Sequence, residues 1–313
     1  MRAEVGLNMY KKFFGLRENP FNVNPDPRYL FLTEHTEEAL ASLTYGIQSR
    51  RGFILLSGEV GTGKTTILNK LLGWLQRQNI TTAFLFNPRL SVPEFFDYMM
   101  ADFGIPCDST QKSQVLMRLN HWLLERYKLR ETAAVIIDEA QDLSLRMLEE
   151  IRLLTNLETA TEKLLQIVLS GQPELEDKLR QPELRQLRQR ITLRCKTYPL
   201  TSAETRGYIV RRLSIAGASG PAIFTPGAIE SIHRFSRGIP RVVNLLCEHA
   251  LINAFVEQTR PIPADTIKKV AREFELDEIE PVARPPVVRP GERPLRDTMQ
   301  GMATLMDRLR RPQ

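Results

Sequence analysis

Gly58-Glu59-Val60-Gly61-Thr62-Gly63-Lys64-Thr65 is the stretch whose residue types and spacing most plainly carry chemistry. It fits the pattern G-x-x-x-x-G-K-[ST], and it lies between an apolar run at Phe53–Ser57 and an amphipathic stretch beginning near residue 64. Glycines at this spacing let successive N–H groups curl around a phosphate, and a helix N-terminus adds a favourable potential for an anion. Lys64 is placed to reach the outer phosphates of a nucleotide such as ATP. The Thr65 hydroxyl is placed to ligate Mg²⁺, with Thr66 beside it in the first turn.

A phosphate site of this kind calls for an acid at the end of another apolar strand. Ala133-Ala134-Val135-Ile136-Ile137 followed by Asp138-Glu139 supplies two. Asp138 is the expected Mg²⁺ ligand, mostly through water, and Glu139 the base that polarises the water attacking the γ-phosphorus. Ser170 closes a further apolar run, with Gln172 two residues on. Either could bond the γ-phosphate or the attacking water, and either could equally be a turn residue. Asn87, at the end of another strand, could hold Glu139 in an inactive pose. Gly238-Ile239-Pro240-Arg241 opens a long helix, from which Arg241 could reach the γ-phosphate and couple domain angle to nucleotide state.

These side chains need a scaffold that brings strand ends together. Predicted strands are Phe53–Ser57, Thr82–Phe86, Ala134–Asp138, Leu165–Ser170 and Ile191–Pro199. Predicted helices lie near 36–49, 64–78, 91–103, 113–128, 144–157 and 173–181, the third opened by a Ser91-x-x-Glu94 capping box. Apolar strands alternating with helices indicate an α/β fold whose parallel sheet is covered on both faces. After Pro199 the strand signals stop. A Thr201–Glu204 capping box, Thr225-Pro226 and apolar periodicity to a last helix near 264–275 describe a small all-helical domain. The expected organisation is an aromatic- and proline-rich segment over 1–35, pinned to a core by its aromatics, then an α/β domain over 36–199. A helical domain over 200–275 follows, and then a Pro/Arg-rich, mostly disordered tail over 276–313. In the tail, Leu295, Met299, Met302, Leu305, Met306 and Leu309 form one stripe of a short helix that could dock on the chain itself, a partner or a membrane surface.

The 313 residues have ordinary globular composition, which excludes a fibrous, disulfide-scaffold or wholly disordered chain. No apolar run is long enough to span a membrane, and Met1 to Tyr10 lacks a signal-peptide core, so a cytoplasmic setting is expected. Three cysteines without metal spacing agree with a reducing compartment. Of the formal charge of +6, a net of +4 sits in residues 281–313, where seven arginines face three acids. The body of the chain therefore gives no electrostatic case for nucleic acid. The exception is the run Lys178, Arg180, Arg185, Arg188, Arg190, Arg194 and Lys196, opposed by Glu183 alone.

Together with Phe13-Phe14-Gly15-Leu16, Asn19-Pro20-Phe21, Pro25-Asp26-Pro27-Arg28-Tyr29-Leu30 and Ser170-Gly171-Gln172-Pro173-Glu174-Leu175, these motifs resemble AAA+ ATPases of the ExeA/GspA (general secretion pathway protein A) family over about residues 9–275. The resemblance implies a five-stranded parallel P-loop sheet with a helical lid and Mg·ATP hydrolysis. It also implies oligomers, a ring or filament such as a hexamer, with ATP between subunits. It implies an arginine finger just before the last strand, with Arg190 the first candidate and Arg188 the second. Family members serve secretion, pilus or exopolysaccharide assembly. The same core is similar to transposition ATPases of the TnsC/TniB kind, which keeps a DNA-associated regulator as the alternative. The long family members continue into a transmembrane helix and a peptidoglycan-binding domain, and neither is seen in this sequence.

Overall fold

A computed structural model of the chain describes residues 10–86, 89–106, 109, 111–220 and 222–278. Asn87 and the C-terminal stripe Leu295–Leu309 fall outside the described residues. The rest divides into two compact units: an α/β unit of residues 34–59 and 64–197, and a helical unit of residues 10–33, 60–63 and 198–278.

The α/β unit is built on five strands: β1 (Phe53–Ser57), β2 (Thr81–Leu85), β3 (Ala133–Ile137), β4 (Leu165–Gly171) and β5 (Ile191–Lys196). Their order across the sheet is β2-β3-β4-β1-β5, and every pair is parallel. β1, β3 and β4 are buried along their whole length, as expected of largely apolar strands whose two faces are both covered by helices; Gln166 of β4 is the buried polar exception in mid-strand. The loop after β1 leaves the sheet between the ends of β4 and β5, while β3 ends two strands away, beyond β4. Helices Lys64–Arg77, Val92–Asp102, Lys112–Lys128, Leu145–Leu154 and Pro173–Leu179 supply the covering apolar faces. The Ser91–Glu94 capping box is formed in full.

One element carries no sequence signal. Arg185-Gln-Leu-Arg-Gln-Arg190 is a short helix, although Leu187 is its sole apolar residue; that leucine is completely buried and anchors it.

The helical unit consists of Ser202–Ile215, Pro226–Ser236, Pro240–Val256 and Ala264–Glu273, together with the N-terminal segment. The aromatics of that segment act as anchors: Tyr10, Phe14 and Phe21 are 1–2% exposed, packed with Ile209, Leu246 and Leu251 in the helical core. Burying each contributes about 1.5–3 kcal/mol. The backbone between them is held by buried Arg212, whose guanidinium donates to the carbonyls of Pro20 and Asn22. Tyr10 and Asn19 both donate to the half-buried Glu248 carboxylate.

Among the described residues, no helix is long and apolar enough to cross a membrane.

Candidate functional site at the strand ends

Gly58 follows β1 directly and Lys64 opens the next helix, so the phosphate-binding pattern sits on a strand–loop–helix turn. Gly61 and Gly63 adopt φ of 77° and 97°, the left-handed region that side-chain-bearing residues avoid. A Cβ at Gly61 would also lie 2.7 Å from the Cβ of Arg241, within the same unit. The Arg241 amide, at the start of the Pro240–Val256 helix, donates to the Gly61 carbonyl at 3.2 Å.

Lys64 is only 6% exposed, and its ammonium donates to the carbonyls of Gly58 (2.8 Å) and Glu59 (3.0 Å). Burial pushes its pKa down, while the nearby carboxylates of Glu139, Asp138, Glu59 and Glu174 pull it back up. The ammonium hydrogen-bonds carbonyls and no carboxylate, so a phosphate oxygen would add a charged partner in direct contact.

Asp138 begins where β3 ends and is 3% exposed. Its Oδ2 accepts the Thr65 hydroxyl at 2.7 Å. Its Oδ1 accepts the Ser170 hydroxyl at 2.8 Å and the Glu139 amide at 3.0 Å. The Thr65 hydroxyl and the Asp138 carboxylate are two hard oxygen donors brought together. That donor set fits Mg²⁺, which takes few protein ligands and completes its shell with water and phosphate oxygen.

Glu139 has left-handed backbone angles, φ 51° and ψ 38°. Such a conformation costs a non-glycine residue energy and is found at sites where the surroundings enforce it. Here the enforcing contacts are the bond to Asp138 and those to the side chain. Oε2 of Glu139 accepts from Gln141 Nε2 at 2.7 Å and from Gln172 Nε2 at 3.3 Å.

Lys64, Thr65, Asp138, Glu139, Ser170 and Gln172 are thus brought to one end of the sheet. Ser170, expected as a γ-phosphate contact, is wholly buried with its hydroxyl on Asp138; Gln172, weighed for the same task, reaches Glu139 instead. Arg190 ends its short helix and donates to the Thr155 hydroxyl, while Arg188 on the same helix is exposed. The members of the basic run differ in their partners. Lys178 donates to the carbonyls of Gln141 and Leu143, the exposed Arg180 pairs with Asp177 and the exposed Lys196 with Glu176, and Arg185, Arg188 and Arg194 are exposed too.

Gln141 was not singled out in the sequence. A lone glutamine two residues past Glu139 carries a weak signal, because its meaning depends on meeting Gln172, 31 residues on.

The AAA domain family matches residues 47–179. "General secretion pathway protein A" of Aeromonas hydrophila is 46% identical over 266 residues, which are 85% of this chain and 48% of that protein. The chain thus spans about half the length of this curated relative. Among solved structures, the Aeropyrum pernix ORC2 protein in its ADPNP–ADP complexes is similar at 17% identity and a TM-score of 0.61, covering 84% of this chain and 73% of that one. The Drosophila ORC bound to DNA is similar at 20% identity and a TM-score of 0.64, covering 87% and 66%. At these identities the two structures bear on the fold alone.

Proposed function

Because the chain belongs to the AAA+ family of P-loop ATPases, we propose that it binds and hydrolyses Mg·ATP and that this drives or regulates assembly of a secretion apparatus. The observation that carries the chemical half is the convergence of Thr65 and Ser170 on Asp138, with Glu139 beside them and the buried Lys64 ammonium at the same sheet end. In the proposed reaction Lys64 neutralises the outer phosphates. Glu139 accepts a proton from water as its oxygen bonds to the γ-phosphorus, and the bond to the bridging oxygen of ADP breaks, giving ADP and phosphate. Thr65 and Asp138 would hold Mg²⁺, which would supply charge neutralisation on the phosphates. Arg241, whose amide holds Gly61 of the loop, is our candidate for reading the γ-phosphate, and Arg190 or Arg188 for completing the site of a neighbouring subunit.

The cellular half is supported by the 46% identity to general secretion pathway protein A. The exposed Arg185, Arg188 and Arg194 favour a second reading, a DNA-associated regulator of the transposition type. Two measurements test the proposal, and the second separates the two readings. The first is Mg·ATP turnover against protein concentration, expected to rise more than linearly if subunits share sites. The second is DNA affinity with ATP present across a salt series, where a steep slope favours the second reading. Absence of ATP turnover at every protein concentration would remove the enzymatic reading.

A further inference from the structure

We propose that Gln141 is a positioning residue for Glu139, acting with Gln172 as a two-amide brace on one carboxylate oxygen; the inference rests on the ATPase reading above. The brace is defined by its bonds. The Gln172 amide N–H donates to Gln141 Oε1 at 3.0 Å, which fixes the orientation of the Gln141 side-chain amide: its oxygen is occupied, so its NH₂ faces Glu139, 2.7 Å from Oε2. The Gln172 side chain adds a second, longer bond of 3.3 Å to the same oxygen.

The surroundings hold the brace in place. Lys178 reaches back from the Pro173–Leu179 helix to the carbonyls of Gln141 and Leu143, tying the turn after β3 to the segment after β4. Gly171 leaves the room the brace needs, since a Cβ there would stand 3.0 Å from Gln141 Oε1 and 2.7 Å from Leu175. Both donors fall on Oε2, so the carboxylate is presented in one orientation. A base must be held in that way to meet a water within hydrogen-bond reach. The segment that carries the second amide begins at Ser170, which itself bonds Asp138, so the base and the Mg²⁺-ligating acid are oriented by neighbouring residues of one strand end.

Positioning and simple structural support predict opposite orders for two variants. Gln141→Glu keeps an oxygen to accept the Gln172 N–H but places a carboxylate against Glu139. Gln141→Met keeps volume and loses both bonds. If the residue only supports the turn, Gln141→Glu is the milder change. If it positions Glu139, Gln141→Glu is the more damaging, and both lower kcat by about ten-fold or more, the usual scale for a hydrogen bond to a charged group. KM and Mg·ATP affinity stay within about two-fold of wild type in either variant.

The experiment is steady-state ATP hydrolysis by the full chain, with Mg·ATP affinity and melting temperature measured on the same preparations, for both variants alone and combined with Glu139→Gln. The expected result is the stated order, melting temperatures near wild type, and no further loss in kcat in the Glu139→Gln background. Wild-type kcat in Gln141→Glu, the reverse order, or parallel loss of binding and melting temperature would overturn the positioning role while leaving the ATPase reading intact. Wild-type turnover in Glu139→Gln alone would remove the base reading, and the brace with it.

Discussion

Thr65, in the first turn after the phosphate loop, donates a hydrogen bond from its hydroxyl to Oδ2 of Asp138, 2.7 Å away at the end of β3. Two residues 73 positions apart thus meet on hard oxygen atoms, and the parallel sheet makes them meet by placing β3 two strands from β1, with only β4 between. Asp138 also accepts from Ser170 and from the Glu139 amide. Replacing it therefore leaves three donors unpaired in a buried place. Asp138→Ala is expected to cost about 3 kcal/mol of stability, read as a lowered melting temperature, and to abolish the Mg²⁺ dependence of nucleotide affinity. A variant as stable as wild type that still binds nucleotide more tightly with Mg²⁺ would contradict this placement. Chelating the metal from the wild type is expected to stop turnover.

Lys64 is buried with only backbone carbonyls to hold it, and burial lowers its pKa. A bound phosphate would relieve that cost, so Mg·ATP is expected to stabilise the protein. The gain is about 2.7 kcal/mol at a ligand concentration a hundred times its dissociation constant. Lys64→Ala should lose most of the ligand-induced rise in melting temperature. An undiminished rise in the variant would mean that the nucleotide does not contact the lysine.

Arg190 bonds Thr155, and Arg188 is exposed two residues earlier. If Arg190 completes a neighbour's site, Arg190→Ala should lower turnover by about 10³-fold or more, the scale of an arginine finger in other phosphoryl-transfer systems. Mixing it with Glu139→Gln should restore part of that turnover. Rescue by Arg188→Ala alone would move the role to Arg188, and no rescue by either, with co-assembly demonstrated, would contradict a shared site.

Glu248 accepts hydrogen bonds from Tyr10 and Asn19, which lower its pKa, but burial outweighs them and the net shift is upward. A raised folded value means that the contribution is fully present below the unfolded carboxyl pKa and is lost as pH rises through the folded value. Glu248→Gln keeps an oxygen for Tyr10 and carries no charge. Its melting temperature is expected to equal or exceed that of wild type at pH 7, with the difference vanishing by about pH 4. A variant clearly less stable at pH 7 would show that the charged form is the favoured one.

The sheet was legible because β1, β3 and β4 are short, mostly apolar runs, broken in mid-strand only by Gln166, that lead into Gly58, Asp138 and Gly171-Gln172. β2 ends at Leu85, one residue short of expectation, since Phe86 is 64% exposed. β5 stops at Lys196, short of the expected Pro199, because Lys196 lies opposite Ser57, the last residue of its partner β1. The helix Arg185–Arg190 was not legible, because a single apolar residue has no period. At the site, Lys64, Thr65, Asp138 and Glu139 belong to local patterns of strand, loop and helix and so could be read directly. The partnership of Gln141 with Gln172 could not, since it arises only when β3 and β4 lie side by side.

The most direct test of the central claim is ATP hydrolysis by Glu139→Gln beside wild type, with Mg·ATP binding measured on both. The account predicts binding within about two-fold of wild type and turnover lowered by about 10²-fold or more, the least expected from loss of a general base. Wild-type turnover in Glu139→Gln would contradict it.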